Sequence, residues 1–248
     1  MKQLLGLLLV VLLLAGCSAD PPAVTDPAPQ PPETTETTLP ETTVPETTVP
    51  ETTQVAGQVV RVEQTYTGAS IDSPDNATIL TGYDRQDQMV WQWTSDVVSN
   101  DGQICMLTEF AESADLVFVV VNNKLIALNR ETGRPSLEIP GMSGANGIAV
   151  DGNGVVYVTE YFSGNVVAYN RNGVKVLDLY EAVPQLAELV YWGYGPEYLG
   201  QNVMKFCFEA CSDEAAVTEY CHVGQNVHGW DYWYVLLDTT TMTLILPN

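Results

Sequence analysis

Residues 145–179 read "ANGIAVDGNGVVYVTEYFSGNVVAYNRNGVKVLDL". Three apolar runs with a period-two character are separated by Gly/Asn turns, and the whole fits in 35 residues. Runs of four to eight Val-rich residues bounded by Gly and Asn are the pattern of half-buried or buried β-strands. The turn Asn170-Arg171-Asn172-Gly173 begins with a side chain that can accept from its own backbone and ends with Gly, which tolerates a positive φ. The "DGNG" at Asp151–Gly154 has the same chemistry. It starts like a calcium loop, but the twelfth position, where such a loop needs a bidentate Glu, is Phe162, so it is read as a hairpin turn.

The unit recurs. Ala168-Tyr169-Asn170-Arg171 is preceded 41 residues earlier by Ala127-Leu128-Asn129-Arg130, and 45 residues before that by Gly82-Tyr83-Asp84-Arg85. Each carries an apolar strand, then Asp/Asn-Arg, a short polar turn and a second strand. A weaker fourth copy, "DYWYVLLDTTTMTLIL", has Asp238 at the turn position and no Arg after it. In the strand before the second turn, Leu116, Phe118 and Val120 alternate with Val117, Val119 and Val121, so both faces are apolar and both must be covered. Hairpin units at a period in the low forties, each unable to bury two apolar faces alone, predict an all-β, propeller-like array of about four antiparallel blades.

The stretch from Asn146 to Leu179 resembles the NHL repeat and, more loosely, the blades of the gluconolactonase family. "LIALNRETGRPSLE" and "GYDRQDQMVWQW" look more like quinoprotein-type (PQQ-like) blades, whose strand-turn-strand carries Asp-x-x-Thr-Gly and a Trp. The resemblance implies a propeller-like fold. Those families close rings of six to eight blades, whereas residues 55–248 have room for about four, which leaves an incomplete array, a four-bladed ring and a self-pairing half as alternatives. In the gluconolactonase family the Asn of an Asn-Gly-Ile-Ala start can ligate a central divalent metal. Asn146 falls on that position, with Glu109 and Glu160 as candidate co-ligands.

Between the third and fourth copies, about residues 183–230 form a Cys- and aromatic-rich insertion. It predicts strands near 189–194 and 203–208 and a short helix within 212–219, capped by Ser212 or Asp213. Aromatic residues interleaved with Gly, Asn and Gln offer flat apolar area with polar handles, as ligand sites often do. Tyr191, Trp192, Tyr194, Trp230 and Tyr232 are the candidate ligand-binding residues.

The chain opens "MKQLLGLLLVVLLLAGC", one positive charge followed by an apolar run from Leu4 to Leu14. That length and the small residues after it read as a secretory signal peptide, residues 1–16. Leu14-Ala15-Gly16-Cys17 resembles the lipobox of bacterial lipoproteins, which implies cleavage before Cys17, acylation of that Cys, and anchoring in a lipid bilayer. Residues 17–54 follow as a stalk. From Ser18 to Gln54 there is no aromatic residue and no Lys or Arg, and PETTV recurs at Pro40 and Pro45. Such a composition cannot offset the entropy of ordering and is expected to stay extended. At ~3.1 Å per residue it spans at most about 115 Å.

Residues 55–248 carry 24 acidic and eight basic side chains. A net charge near −16 disfavours nucleic acid and anionic lipid as partners of this domain. Cys105, Cys207, Cys211 and Cys221 are disulfide candidates in an extracytoplasmic setting; a metal site using them with His222 and His228 matches no familiar spacing. No nucleophile motif accompanies the two histidines, and no cofactor is indicated. The reading is an envelope lipoprotein with a non-catalytic binding domain for a ligand or protein, lipid-anchored and extracytoplasmic. The alternative is a metal-dependent envelope hydrolase or lactonase centred on Asn146.

Overall fold

The computed structural model describes residues 58–68, 76–96, 109–142 and 144–247. The expected signal peptide and stalk, with Cys17, and Cys105 lie outside the described residues. No helix among the described residues is long and apolar enough to cross a membrane.

Among the described residues, four antiparallel sheets follow one another along the chain. The first holds β1 (Arg61–Tyr66), β2 (Thr78–Tyr83) and β3 (Met89–Thr94). The second holds β4 (Ala111–Glu112), β5 (Leu116–Val121), β6 (Lys124–Asn129) and β7 (Pro135–Pro140). The third, built from the opening stretch, holds β8 (Ala145–Val150), β9 (Val156–Glu160), β10 (Val166–Tyr169) and β11 (Lys175–Asp178). In all three, spatial order follows chain order. The short helices α1 (Leu179–Ala182) and α2 (Pro184–Leu189) lead to the fourth sheet. It contains β12 (Val190–Gly193), β13 (Glu197–Gly200), β14 (Val203–Cys211), helix α3 (Glu214–Val217), β15 (His222–Gln225), β16 (Asp231–Asp238) and β17 (Thr243–Ile245). This is an all-β, propeller-like array of four blades.

The repeated Asp/Asn works as expected, because an acceptor two to four residues upstream is a purely local device. Asp84 Oδ1 accepts from Gln86 N and Gln88 N at 2.8 and 3.0 Å. Asn129 Oδ1 accepts from Glu131 N and Thr132 N at 3.1 and 3.0 Å, and Asn170 Oδ1 from Asn172 N and Val174 N at 3.0 and 3.1 Å. The weak fourth copy does the same: Asp238 Oδ1 accepts from Thr240 N and Thr241 N at 2.8 and 3.2 Å. "DGNG" is a hairpin turn, with Asp151 Oδ1 accepting from Asn153 N and Val155 N. The Arg after the Asn has a different task. Arg130 reaches back to Val59 O and Glu112, and Arg171 reaches back to Asp115 of the second sheet.

Each blade contributes its faces to successive cores. Val62, Leu80 and Trp91 of the first sheet meet Val117, Val119, Val121 and Leu128 of the second. The other face of β5, through Phe118 and Val120, meets Val156 and Val158 of the third. Tyr157, Val166 and Ala168 of the third meet Met204, Phe206, Phe208, Val235 and Leu237 of the fourth. At ~1.5–3 kcal/mol per fully buried large apolar side chain, these interfaces are the main source of stability. The first sheet's other face differs: Arg61, Glu63, Thr81, Tyr83 and Gln92 share it. There the Arg61 guanidinium lies 4.4 Å from the Tyr83 ring centroid and Gln92 Nε2 donates to Thr81 Oγ1.

Candidate functional site

The fourth sheet departs from the others by extension. β13, the first half of β14, the second half of β16 and β17 form an ordinary four-stranded blade. Beyond it β14 and β16 continue, flanked by β12 on one side and β15 on the other. The expected strands and helix of the insertion are present, with Asp213 as the N-cap of α3, accepting from Ala215 N and Ala216 N. Strand alternation then divides the side chains. Met204, Phe206 and Phe208 point into the core, while Lys205, Cys207 and Glu209 face the opposite way. In register, Cys207 stands beside Tyr234 and Tyr234 beside His222, so this outward face is aromatic across two strands.

The His222 and Tyr234 rings stack at 5.1 Å and 15°, and His222 Nε2 lies 3.0 Å from Ile245 O. Lys205 Nζ sits 4.9 Å from the Tyr234 centroid and 5.3 Å from that of Tyr232, with Glu197 Oε2 at 3.7 Å. Burial alone would lower the lysine, but Cys207, Tyr232 and Glu197 hold it above its ordinary value. Trp230 and His228 stand at the β15–β16 turn, which Asn226 Oδ1 organises by accepting from His228 N and Trp230 N. Trp230 is 70% exposed.

A second aromatic group lies at β12. The Tyr191 and Trp192 rings meet edge to face at 5.3 Å, and Tyr161 and Phe162, from the turn after β9, do so at 5.2 Å. The two pairs are joined through the backbone, with Trp192 N donating to Phe162 O at 3.4 Å and Gly193 N to Tyr161 O at 2.8 Å. Trp192 is 42% exposed and its φ is +58, a left-handed conformation that is costly for a bulky residue. Glu209 is its neighbour across β14, bracketed by the pairs Tyr191↔Ala210 and Gly193↔Phe208. Tyr194 OH donates to Glu209 Oε2 at 2.9 Å. Burial, then this hydrogen bond and the Glu209 charge, push the Tyr194 hydroxyl up to about 12.

The structure thus divides the five sequence candidates. Tyr191, Trp192 and Tyr194 gather with Tyr161 and Phe162, whereas Trp230 and Tyr232 gather with His228, Tyr234, His222 and Lys205. Sequence reasoning missed Phe162, Glu209 and Lys205 as members. Lys205 and Glu209 were open to discovery, since period-two alternation in β14 puts them opposite Phe206 and Phe208.

Asn146 is occupied differently from the metal reading: its Nδ2 donates to Gly193 O at 3.0 Å. The next residue explains why β12 can lie so close. A Cβ on Gly147 would fall 2.1 Å from the Gly195 Cα, so the "NG" of β8 and the "WGYG" of β12 are a mutual backbone contact. Glu160 Oε2 accepts from Ser163 Oγ at 2.7 Å, and Glu109 lies near Tyr66 of the first sheet. Among the described residues no three His, Cys, Asp or Glu side chains come together as a metal site.

Of the four disulfide candidates, Cys207, Cys211 and Cys221 are among the described residues and carry free thiols in the structure. Cys207 faces outward from β14 while Cys221 is buried in the core beneath the sheet. Burial raises all three thiols, Cys221 to about 12, where Cys211 adds to it. Thiols so protonated at neutral pH are poor nucleophiles. An apolar cleft of about 270 Å³ lies between the third and fourth sheets, lined by Leu177, Leu179, Val183, Leu237, Met242 and Leu246. Another of about 200 Å³ between the first and second sheets is lined by Trp93, Asp96, Lys124 and Glu138.

No protein-family description and no curated protein matches the chain. Solved structures do. BamB from Moraxella catarrhalis aligns at 14% identity and a TM-score of 0.38, over 72% of this chain and 50% of that one. The calcium-binding protein regucalcin from Agrobacterium tumefaciens str. C58 aligns at 14% identity and 0.34, over 64% of this chain and 57% of that one. Dihydro-heme d1 dehydrogenase NirN, in complex with DHE, aligns at 8% identity and 0.32, over 73% of this chain and 46% of that one. The chain therefore spans about half the length of these solved structures.

Proposed function

We propose that this chain is a lipid-anchored protein of the bacterial cell envelope. Its propeller-like domain binds a protein or other ligand without catalysis, through the aromatic face of the fourth sheet. The anchoring rests on the residues Leu14-Ala15-Gly16-Cys17 behind the apolar run, and on the proline-spaced acidic segment that would hold a domain away from the bilayer. The binding assignment rests on one observation above all: Trp192 is kept in a left-handed backbone conformation with its indole exposed and set edge to face against Tyr191, its backbone bonded to Phe162. Strain retained at an exposed aromatic is a mark of a recognition residue.

Two experiments test the halves separately. Metabolic labelling with a palmitate analogue should mark the wild-type chain and not Cys17→Ser, and the wild type should partition into detergent. Equal labelling of the variant rules out acylation at Cys17. For binding, immobilised wild-type chain should retain components of a solubilised envelope fraction that the double variant Trp192→Gly, Trp230→Ala does not. Identical retention with unchanged far-ultraviolet circular dichroism places the contact surface elsewhere.

A further inference from the structure

The chemistry of the β12 edge says what kind of group it takes. The fold already contains a worked instance in Lys205, whose ammonium lies over the Tyr232 and Tyr234 rings with the Glu197 carboxylate at 3.7 Å. Rings supply a negative π face and the carboxylate supplies the counter-charge, a pairing suited to a cation. The same ingredients recur one strand pair away. Trp192 is 42% exposed, the exposed Glu209 holds the position on β14 between the partners of Tyr191 and Gly193, and Tyr194 OH fixes one oxygen of that carboxylate at 2.9 Å. The surroundings reinforce the sign of the charge: residues 179–247 hold nine Asp or Glu against a single basic residue, Lys205. Resting on the binding role proposed above, we infer that the Trp192–Tyr194–Glu209 constellation receives an Arg or Lys side chain from a basic segment of a partner protein. The cation stacks on the indole and pairs with the free oxygen of Glu209. Arginine fits best, since its planar guanidinium stacks and donates to a carboxylate at once.

The test titrates the full chain, in detergent, with hexa-arginine and with neutral chitotetraose, following the heat of binding by isothermal titration calorimetry. Hexa-arginine should bind, and raising NaCl from 50 to 300 mM should weaken it about tenfold or more, since exposed charges are screened beyond ~10 Å. Glu209→Gln should weaken it about tenfold. Glu219→Gln, an equal charge change at an exposed position after α3, should weaken it less than twofold. Trp192→Phe should keep most of the binding and Trp192→Gly should lose it. Equal effects of the Glu209 and Glu219 changes overturn the inference, because the peptide would then be sensing net charge alone. No binding of hexa-arginine, with chitotetraose bound and lost in Trp192→Gly, overturns the cationic partner but leaves the aromatic surface as a binding site. Indifference of both probes to Trp192→Gly removes both.

Discussion

The Trp91 indole, on the last strand of the first sheet, lies directly on the backbone of Gly133 in the hairpin turn of the second, and its Nε1 donates to Arg130 O at 2.8 Å. A Cβ on Gly133, whose φ is +66, would stand 2.5 Å from the ring. The contact is repeated one blade on, where Leu137 occupies the space over Gly173, at φ +76, with its Cδ1 2.7 Å from where a Cβ would be. A bulky residue four positions after one turn seats on the positive-φ turn of the next blade. This is how the hairpin units are held in order.

Gly133→Ala should therefore cost about 2–5 kcal/mol, from left-handed backbone strain of ~1–2 and overpacking against the indole of ~1–3. Gly154→Ala is the control, since Gly154 has φ +78 but nothing within 4 Å of a new Cβ. It should lose only the backbone share. Denaturant midpoints at unchanged slope measure both, and equal losses would mean that the Trp91 contact is soft.

Asp238 organises the last turn through two backbone amides. Asp238→Asn recreates the arrangement at Asn129 and Asn170 and should leave stability within ~0.5 kcal/mol. Asp238→Ala should lose about 1–2 kcal/mol, the net worth of two hydrogen bonds. Thermal unfolding decides; a harmless Ala would detach the fourth turn from the repeat.

Trp192 offers a contrast between strain and contact. Ala and Gly both remove the indole and its edge-to-face contact with Tyr191, but Gly also relieves the φ of +58. Trp192→Gly should be more stable than Trp192→Ala by about 1 kcal/mol. Equal midpoints would show that the backbone relaxes in the Ala variant and that the wild-type conformation stores little strain.

Alkaline pH should unfold the domain by a calculable route. The Cys221 thiol is raised by burial to about 12 from an ordinary value near 9. Above pH 9 the unfolded chain gives up this proton while the folded one keeps it, so stability falls as pH rises towards 12. The slope is up to about 1.4 kcal/mol per pH unit for this group. Tyr157 and Tyr180, also raised by burial, add to the loss above pH 10. Urea midpoints should be flat from pH 7 to 8.5 and then drop. Cys221→Ala should drop less steeply between pH 9 and 10; a wild-type slope in that variant would show that the thiol ionises freely in the folded state.

The repeat was legible because its signals are local. Asp84, Asn129, Asn170 and Asp238 act on amides two to four residues away, and the two-sided apolar alternation of Leu116–Val121 states outright that both faces are covered. The capping of α3 by Asp213 was legible for the same reason.

By itself, then, the sequence determined the hairpin unit, its repetition and the need for neighbours, since strand alternation and turn chemistry act over a few residues. Only the tertiary structure decided which aromatic residues share a surface. Phe162 joins Trp192 through a backbone contact spanning 30 positions, made possible where Gly147 meets Gly195. Trp230, by contrast, goes to the opposite edge with the β15–β16 turn. Composition can name the aromatic side chains of an insertion, but their grouping depends on how the fourth sheet seats against the third. That seating is a sum of long-range contacts which no local pattern encodes.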